Sequence, residues 1–207
     1  MCYSFYIDLD REFTRELKEK ILSSKLTAGF ESTGKKVITR GIIRPSDIVP
    51  VIAADRRGER SVFPMKWGFR LSRGDLVANA RSESASEKPL FREAWKAHRC
   101  IIPASWYYEW EHFTRPDGSR RTGDKFAIQP AGSSVCYLAG LYRIEEGFPH
   151  FTILTRTPGE ALQKIHDRMP VILPSHCIGE WIDPSSAPEA VREIAALSLT
   201  DMVIERA

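Results

Sequence analysis

Between Arg99 and Arg156 the chain offers strand-type runs one after another: CIIPASWYYEW, KFAIQP, VCYLAGLYRI and FTILTR. Each is short and rich in β-branched and aromatic residues, which fit a pleated, half-buried surface. The first two are joined by TRPDGSRR, where Asp117-Gly118 is a strong hairpin signal. So much consecutive strand demands a sheet-based core. Upstream, YSFYI (3–7) reads as a first strand, and DIVPVIAA (47–54) turns at Arg57-Gly58 into SVFPMKW (61–67) as a hairpin. LVANAR (76–81) is a short apolar piece, and MPVILP near the C-terminus is a further strand candidate. Helical periodicity is confined to a few places. Asp10 is placed to cap a helix through about Leu26, with Phe13, Leu17 and Ile21 on one face. Shorter helices are expected at Phe91 to His98, from Thr157-Pro158 to near His166, and from Pro188 to Leu197. Strands outnumber helices and do not alternate with them. The expectation is α+β: a single domain over residues 2–207, with a mixed, barrel-like sheet core flanked by short helices.

At 207 residues the chain can bury a core without disulfide or metal staples. A net charge of +3 says little about partners unless the charge is clustered. The start MCYSFYIDLDREF brings acids at Asp8 and Asp10 and lacks the apolar run of a secretory signal. No run approaches the roughly 18 apolar residues of a membrane helix. A reducing, cytoplasmic setting is expected, with no membrane partner. The four cysteines are scattered without a CxxC pair, so neither disulfides nor a thiolate zinc site is the first expectation. Cys100, Cys136 and Cys177 read as small buried hydrophobes.

Cys2 differs by position. Removal of Met1, normal when the second residue is small, exposes an α-amine and a thiol on adjacent carbons. Their reference pKa values are about 7.7–8.0 and about 8.5, so both are partly deprotonated near neutral pH. Such a 1,2-aminothiol condenses with an aldehyde to a Schiff base, and its sulfur then closes a thiazolidine. A Met-Cys start alone is more often incidental. Three later segments add to it: VANARSES (77–84) with Asn79 and Arg81, PASWYYEW (103–110) with Glu109, and KIHDRMPVIL (164–173) with His166. Singly each has a bland explanation: turn chemistry for the Asn, an outward-pointing Glu, a His closing a helix end.

Together they form a set. The chain resembles the SOS response-associated peptidase family, whose members cross-link covalently to abasic sites in DNA. The matching features, in order, are Cys2 after Met1, PSDIVPVI, WGF (67–69), NARSE (79–83), PLFR (89–92), RCIIPASWYYEW (99–110), AGLY (139–142) and IHDRMPVIL (165–173). The resemblance implies that Cys2 is the nucleophile and that Asn79 orients the linkage. It implies that Glu109, its pKa raised by aromatic neighbours, manages protons at the amine and sugar, and that His166, titrating near working pH, shuttles protons. Arg81 is implied to contact DNA phosphate, Trp67 to pack against bases, and Arg44 to restore positive charge. The start departs from the family's usual Cys-Gly-Arg: Tyr3 and Ser4 follow Cys2.

The implied partner is single-stranded DNA carrying abasic sites. The protein is expected to act as a monomer without metal or other cofactor, and to be nucleoid-associated when bound to DNA. A lyase side activity and self-removal of Met1 accompany this reading. The alternatives are a cysteine peptidase using Cys2 and His166, and a non-catalytic single-stranded DNA-binding module.

Overall fold

The computed structural model describes residues 2–10, 15–72, 74–114 and 117–207. Its strands are β1 (Ser4–Asp8), β2 (Arg40–Ile43), β3 (Ile48–Ala54), β4 (Arg60–Trp67), β5 (Phe69–Arg70), β6 (Leu76–Val77), β7 (Asn79–Arg81), β8 (Arg99–Ala104), β9 (Trp106–Thr114), β10 (Arg120–Pro130), β11 (Cys136–Glu145), β12 (Phe148–Arg156), β13 (Met169–Pro170) and β14 (Met202–Arg206). The helices are α1 (Arg15–Leu22), α2 (Lys25–Ser32), α3 (Ser82–Ala85), α4 (Arg92–Ala97), α5 (Glu160–Gln163), α6 (Ile178–Ile182) and α7 (Pro188–Ala196).

One sheet runs β14-β10-β9-β1-β2. In the other, β11, β8, β3, β4 and β12 are neighbours in turn, and β12 pairs back onto β11, so five strands close on themselves. The expected α+β class with a barrel-like sheet is therefore observed. Two pairings are parallel, β12 with β4 and β12 with β7.

The runs CIIP and VPVIAA are apolar at every position because both faces of these strands are buried. Val51, Cys100, Ile102, Leu138 and Ile153 belong to one apolar cluster, which also takes in Phe5, Ile7 and Tyr107 of the first sheet. Their neighbours Ile52, Ile101, Ala139 and Leu154 belong to a second cluster with Trp95, Trp181, Val191 and Ile194 of the helices. Arg99, 1% exposed, sits under those helices. It donates to the carbonyls of Trp95 and Lys96 at the end of α4 and of Trp181 and Asp183 at the end of α6. One guanidinium thus satisfies carbonyls that two helix ends leave unpaired.

Both expected hairpins form. Ala54 lies opposite Arg60 across a turn with Gly58 at φ +80°, and Gly118 at φ +80° serves the β9–β10 turn. The N-terminal helix differs from expectation. It stops at Leu22, and Ser24 caps a second helix by accepting from the Thr27 N–H. Phe13 lies outside the described residues. The last helix is followed by β14, which pairs with β10 and was not foreseen. MPVILP contributes only Met169–Pro170 as a strand.

Gly140 of AGLY marks where β8, β11 and β12 approach most closely. A Cβ there would meet Ile102 Cδ1 and the Thr152 carbonyl at 2.8 Å and Cys100 Sγ at 3.1 Å. Gly140→Ala should therefore cost about 1–3 kcal/mol by overpacking. Gly179→Ala, on α6 with no atom within 4 Å of the new methyl, should be neutral or stabilise by up to about 1 kcal/mol. Urea denaturation of the two variants checks the contrast.

Candidate functional site

Antiparallel pairing of β1 with β9 sets Ser4 opposite Tyr108. It brings Cys2, two residues before the strand, beside Glu109 on the neighbouring one. From the other sheet, β7 runs parallel to β12 with Asn79 level with Ile153. There the Asn79 side-chain amide donates to the Cys2 carbonyl at 2.9 Å. The loop after α5 carries His166, and the His112 N–H of β9 holds it by donating to the Ile165 carbonyl at 3.0 Å. His166 Nε2 lies 3.9 Å from Glu109 Oε1. Four residues separated by up to 164 positions in the chain thus meet at one end of the two sheets.

A cleft of about 780 Å³ opens over Glu109 and His166. Tyr3, Trp110, Phe113 and Ile165 give it apolar walls, and Arg81 and Arg168 give it cations. Arg168 is tied down. Its guanidinium grips both Glu83 oxygens at 2.9 and 2.8 Å and donates to the Thr155 carbonyl at 2.6 Å. The NARSE and HDRMP segments are thereby clamped together, a role the sequence did not disclose.

Burial sets the electrostatics. Glu109 is 3% exposed, and desolvation pushes its carboxyl up to about 7. Desolvation likewise lowers His166 to about 4, so its imidazole is neutral near pH 7. The near-neutral titration expected of His166 therefore belongs to Glu109. The reason for the Glu109 shift also differs from expectation. Side chains alternate along a strand, so only Tyr107 of the neighbouring aromatics shares its face, with Tyr107 1% exposed. Trp106 and Tyr108 look the other way, where Tyr6 stacks on Trp106 at 4.5 Å and Lys125 sits 3.7 Å from the Tyr108 ring centre.

The Cys2 thiol is fully buried and donates to the Ser4 carbonyl at 3.7 Å. Burial holds its pKa well above the ordinary thiol range. It is a protonated thiol at neutral pH, not the partly ionised one expected. The Asn79 side-chain oxygen is buried with no hydrogen-bond partner among the described residues, an acceptor left for an incoming donor.

Trp67 is not at the surface. It is 0% exposed, packs against Phe5 at 5.1 Å and donates its indole N–H to the Ala78 carbonyl. Strand alternation alone could not tell which face of WGF points inward. Arg44 is exposed between β2 and β3 and does not line the cleft, whereas Arg81 does. Tyr3, 49% exposed, and Phe113, 45% exposed, are, with the half-buried Trp110, the aromatics that line the cleft. His112 also faces the cleft, its ring 5.0 Å from that of His166. One donor atom from each of Glu109, His112 and His166 lies within 4.8 Å of the others, a grouping able to hold a metal ion. No helix among the described residues is long and apolar enough to cross a membrane.

The family model described as SOS response associated peptidase matches residues 1–205. The chain is 40% identical over 155 residues to the abasic site processing protein YoqW of Bacillus subtilis, covering 70% of this chain and 66% of that protein. It is 28% identical over 155 residues to the abasic site processing protein YedK of Escherichia coli, with the same coverage. It thus spans just under two-thirds of these relatives' length. Among solved structures, a Bacteroides thetaiotaomicron protein superimposes with a TM-score of 0.73 at 20% identity, covering 99% of this chain and 91% of that one. That likeness concerns the fold.

Carbon-13 NMR of the Glu109 carboxyl, in chelator-treated protein, should give a midpoint at about pH 7. The signal should vanish in Glu109→Gln. A midpoint in the usual carboxylate range near 4–5 would mean that water reaches the cleft floor.

Proposed function

Because this chain belongs to the SOS response-associated peptidase family, we propose that it processes abasic sites in DNA by forming a covalent thiazolidine at Cys2 with the ring-opened sugar aldehyde. The observation that carries the reading is the meeting of Asn79, Glu109 and His166 around Cys2, with the Asn79 amide 2.9 Å from the Cys2 carbonyl. The relatives named above are abasic site processing proteins.

Removal of Met1 converts the backbone nitrogen of Cys2 into a primary amine. That amine attacks the aldehyde carbon to give a carbinolamine. The buried thiol, still protonated, does not compete at this step. Glu109, poised between protonation states near neutrality, donates the proton with which hydroxide leaves as water. The resulting protonated imine then takes the Cys2 sulfur at the former aldehyde carbon. The thiol proton passes to the Glu109 carboxylate, and the iminium nitrogen keeps its own proton as the ring amine. The balance is aldehyde plus aminothiol giving thiazolidine plus water. Neutral His166, 3.9 Å from Glu109, relays protons to and from the sugar oxygen that ring opening frees.

The cleft suits unpaired nucleotides. Tyr3, Trp110 and Phe113 offer faces on which bases stack, and Arg81 offers a phosphate contact. Single-stranded DNA is the substrate this favours. Strand cleavage by β-elimination from the imine, which breaks the sugar C3′–O bond with the 3′ phosphate leaving, and self-removal of Met1 belong to the same reading, as does a cytoplasmic location with binding to the nucleoid. The protein acts as a monomer of one domain.

Mixing the full chain with a uracil-containing oligonucleotide treated with uracil glycosylase should give an adduct that survives a denaturing gel. Mass spectrometry should locate it on Cys2, with Met1 absent. Cys2→Ala should abolish it and Cys100→Ala should not; an adduct on a lysine would overturn the mechanism. Because one lost general acid–base group costs about 10²–10⁴-fold, Glu109→Gln should slow single-turnover cross-linking by about that factor. His166→Gln should slow it less while leaving the same final adduct. Parent rates in both variants would make these residues structural.

A further inference from the structure

The cleft floor gathers Glu109 Oε1, His166 Nε2 and the His112 ring, one buried carboxylate and two imidazoles from β9 and the loop it anchors. Two imidazoles and a glutamate form a donor set suited to zinc, with bonds of about 2.0–2.2 Å and an open position left for water. Donor atoms on a tetrahedral ion lie roughly 3.3 Å apart at those bond lengths. The Glu109–His166 separation of 3.9 Å is already close. His112 is surface-exposed, and a small side-chain rotation can bring its donor atom, already within 4.8 Å of the other two, to ligand spacing.

A second feature points the same way. The other ring nitrogen of His166, Nδ1, lies 2.7 Å from the Asp167 carboxylate. A carboxylate holding Nδ1–H fixes an imidazole with its Nε2 lone pair free, the arrangement usual behind metal-ligating histidines. The Arg168 N–H also points at Nδ1, at 3.0 Å. His166 therefore has two supported tautomers. With the proton on Nε2, Nδ1 accepts from Arg168 and Nε2–H faces Glu109. With the proton on Nδ1, Asp167 accepts it and Nε2 faces the cleft as a ligand.

We propose that Glu109, His112 and His166 form a zinc-binding site whose occupancy withdraws Glu109 and His166 from proton transfer and so inhibits the protein reversibly. The site itself rests on the three donors and the Asp167 brace; the inhibition rests on the function proposed above. Binding selects the Nδ1–H tautomer, and any proton displaced from Nε2 or from the carboxyl leaves to solvent.

Isothermal titration of zinc into the chelator-treated full chain should show one site. Asp167→Asn should weaken it by about 10–100-fold, and His112→Ala by at least as much. Both residues are exposed, so neither variant threatens folding. Cys2→Ala should bind zinc as the parent does. Absence of binding, binding indifferent to His112→Ala, or binding lost in Cys2→Ala would overturn the site. Zinc should slow cross-linking of an abasic oligonucleotide by the parent chain. His112→Ala, compared with its own metal-free rate, should no longer respond. Zinc bound through His112 with the cross-linking rate unchanged would overturn the inhibition. A parent chain that forms no adduct even without metal would instead defeat the functional reading, while the titration still decides the site.

Discussion

The site depends on the register of β1 against β9. With Ser4 fixed opposite Tyr108, the chain start cannot leave the neighbourhood of Glu109 without breaking a sheet. A slip of one residue would turn Phe5 and Ile7, both fully buried, toward the opposite face. The core therefore enforces the register, and the register enforces the encounter of Cys2 with the carboxyl. The first few residues of a domain are ordinarily poorly ordered unless tied down. Here Cys2 is tied by a strand on one side and by the Asn79 amide on the other.

The same burial selects the chemistry. Desolvation favours the neutral forms of Cys2, Glu109 and His166, and its consequence depends on the group. It keeps the Cys2 thiol protonated, keeps His166 neutral and brings Glu109 to the middle of its titration near pH 7. One physical cause thus keeps the thiol un-ionised and, on the mechanism proposed above, supplies a carboxyl able both to give and to take a proton. The sequence reading expected the raised Glu109 pKa for a different reason. It counted four aromatics around Glu109, whereas strand alternation sends Trp106 and Tyr108 to the far face.

Much of the architecture was legible where the pattern was local. The Gly58 and Asp117-Gly118 hairpins announced themselves by turn chemistry, and the doubly buried strands by continuous apolar runs. The break at Ser24 was hidden because Leu17 and Ile21 continue a helical stripe up to it. The edge strand β14 was hidden because MVIER is short and stands after a helix, with its partner β10 some seventy positions away. Cys2, Asn79, Glu109 and His166 were legible as a set through their flanking motifs, and the structure brings all four together. Arg168 and His112 were not. The first acts through Glu83, 85 positions distant, and the second lies on β9 beside an irregularity in its pairing with β10.

On the function proposed above, the cleft's grip on DNA would follow from how its charges are already committed. Among the described lining residues, Arg168 spends its guanidinium on Glu83 and on the Thr155 carbonyl, which leaves Arg81 as the exposed cation. Tyr3 stands at the rim where relatives with a Cys-Gly-Arg start would carry glycine, and Ser4 stands where they would carry the cation. Its place in β1 shows why an arginine at position 4 would not serve here. Ser4 is 4% exposed and lies at the pairing with Tyr108, so a long cationic side chain there would have to displace the neighbours that cover it. On the function proposed above, with that cation absent and an exposed ring at position 3, recognition would shift from phosphate charge toward stacking on Tyr3, Trp110 and Phe113. Stacking requires bases that are already unpaired. On that reading, the residues after Cys2 would favour single strands while weakening the electrostatic attraction that all DNA shares.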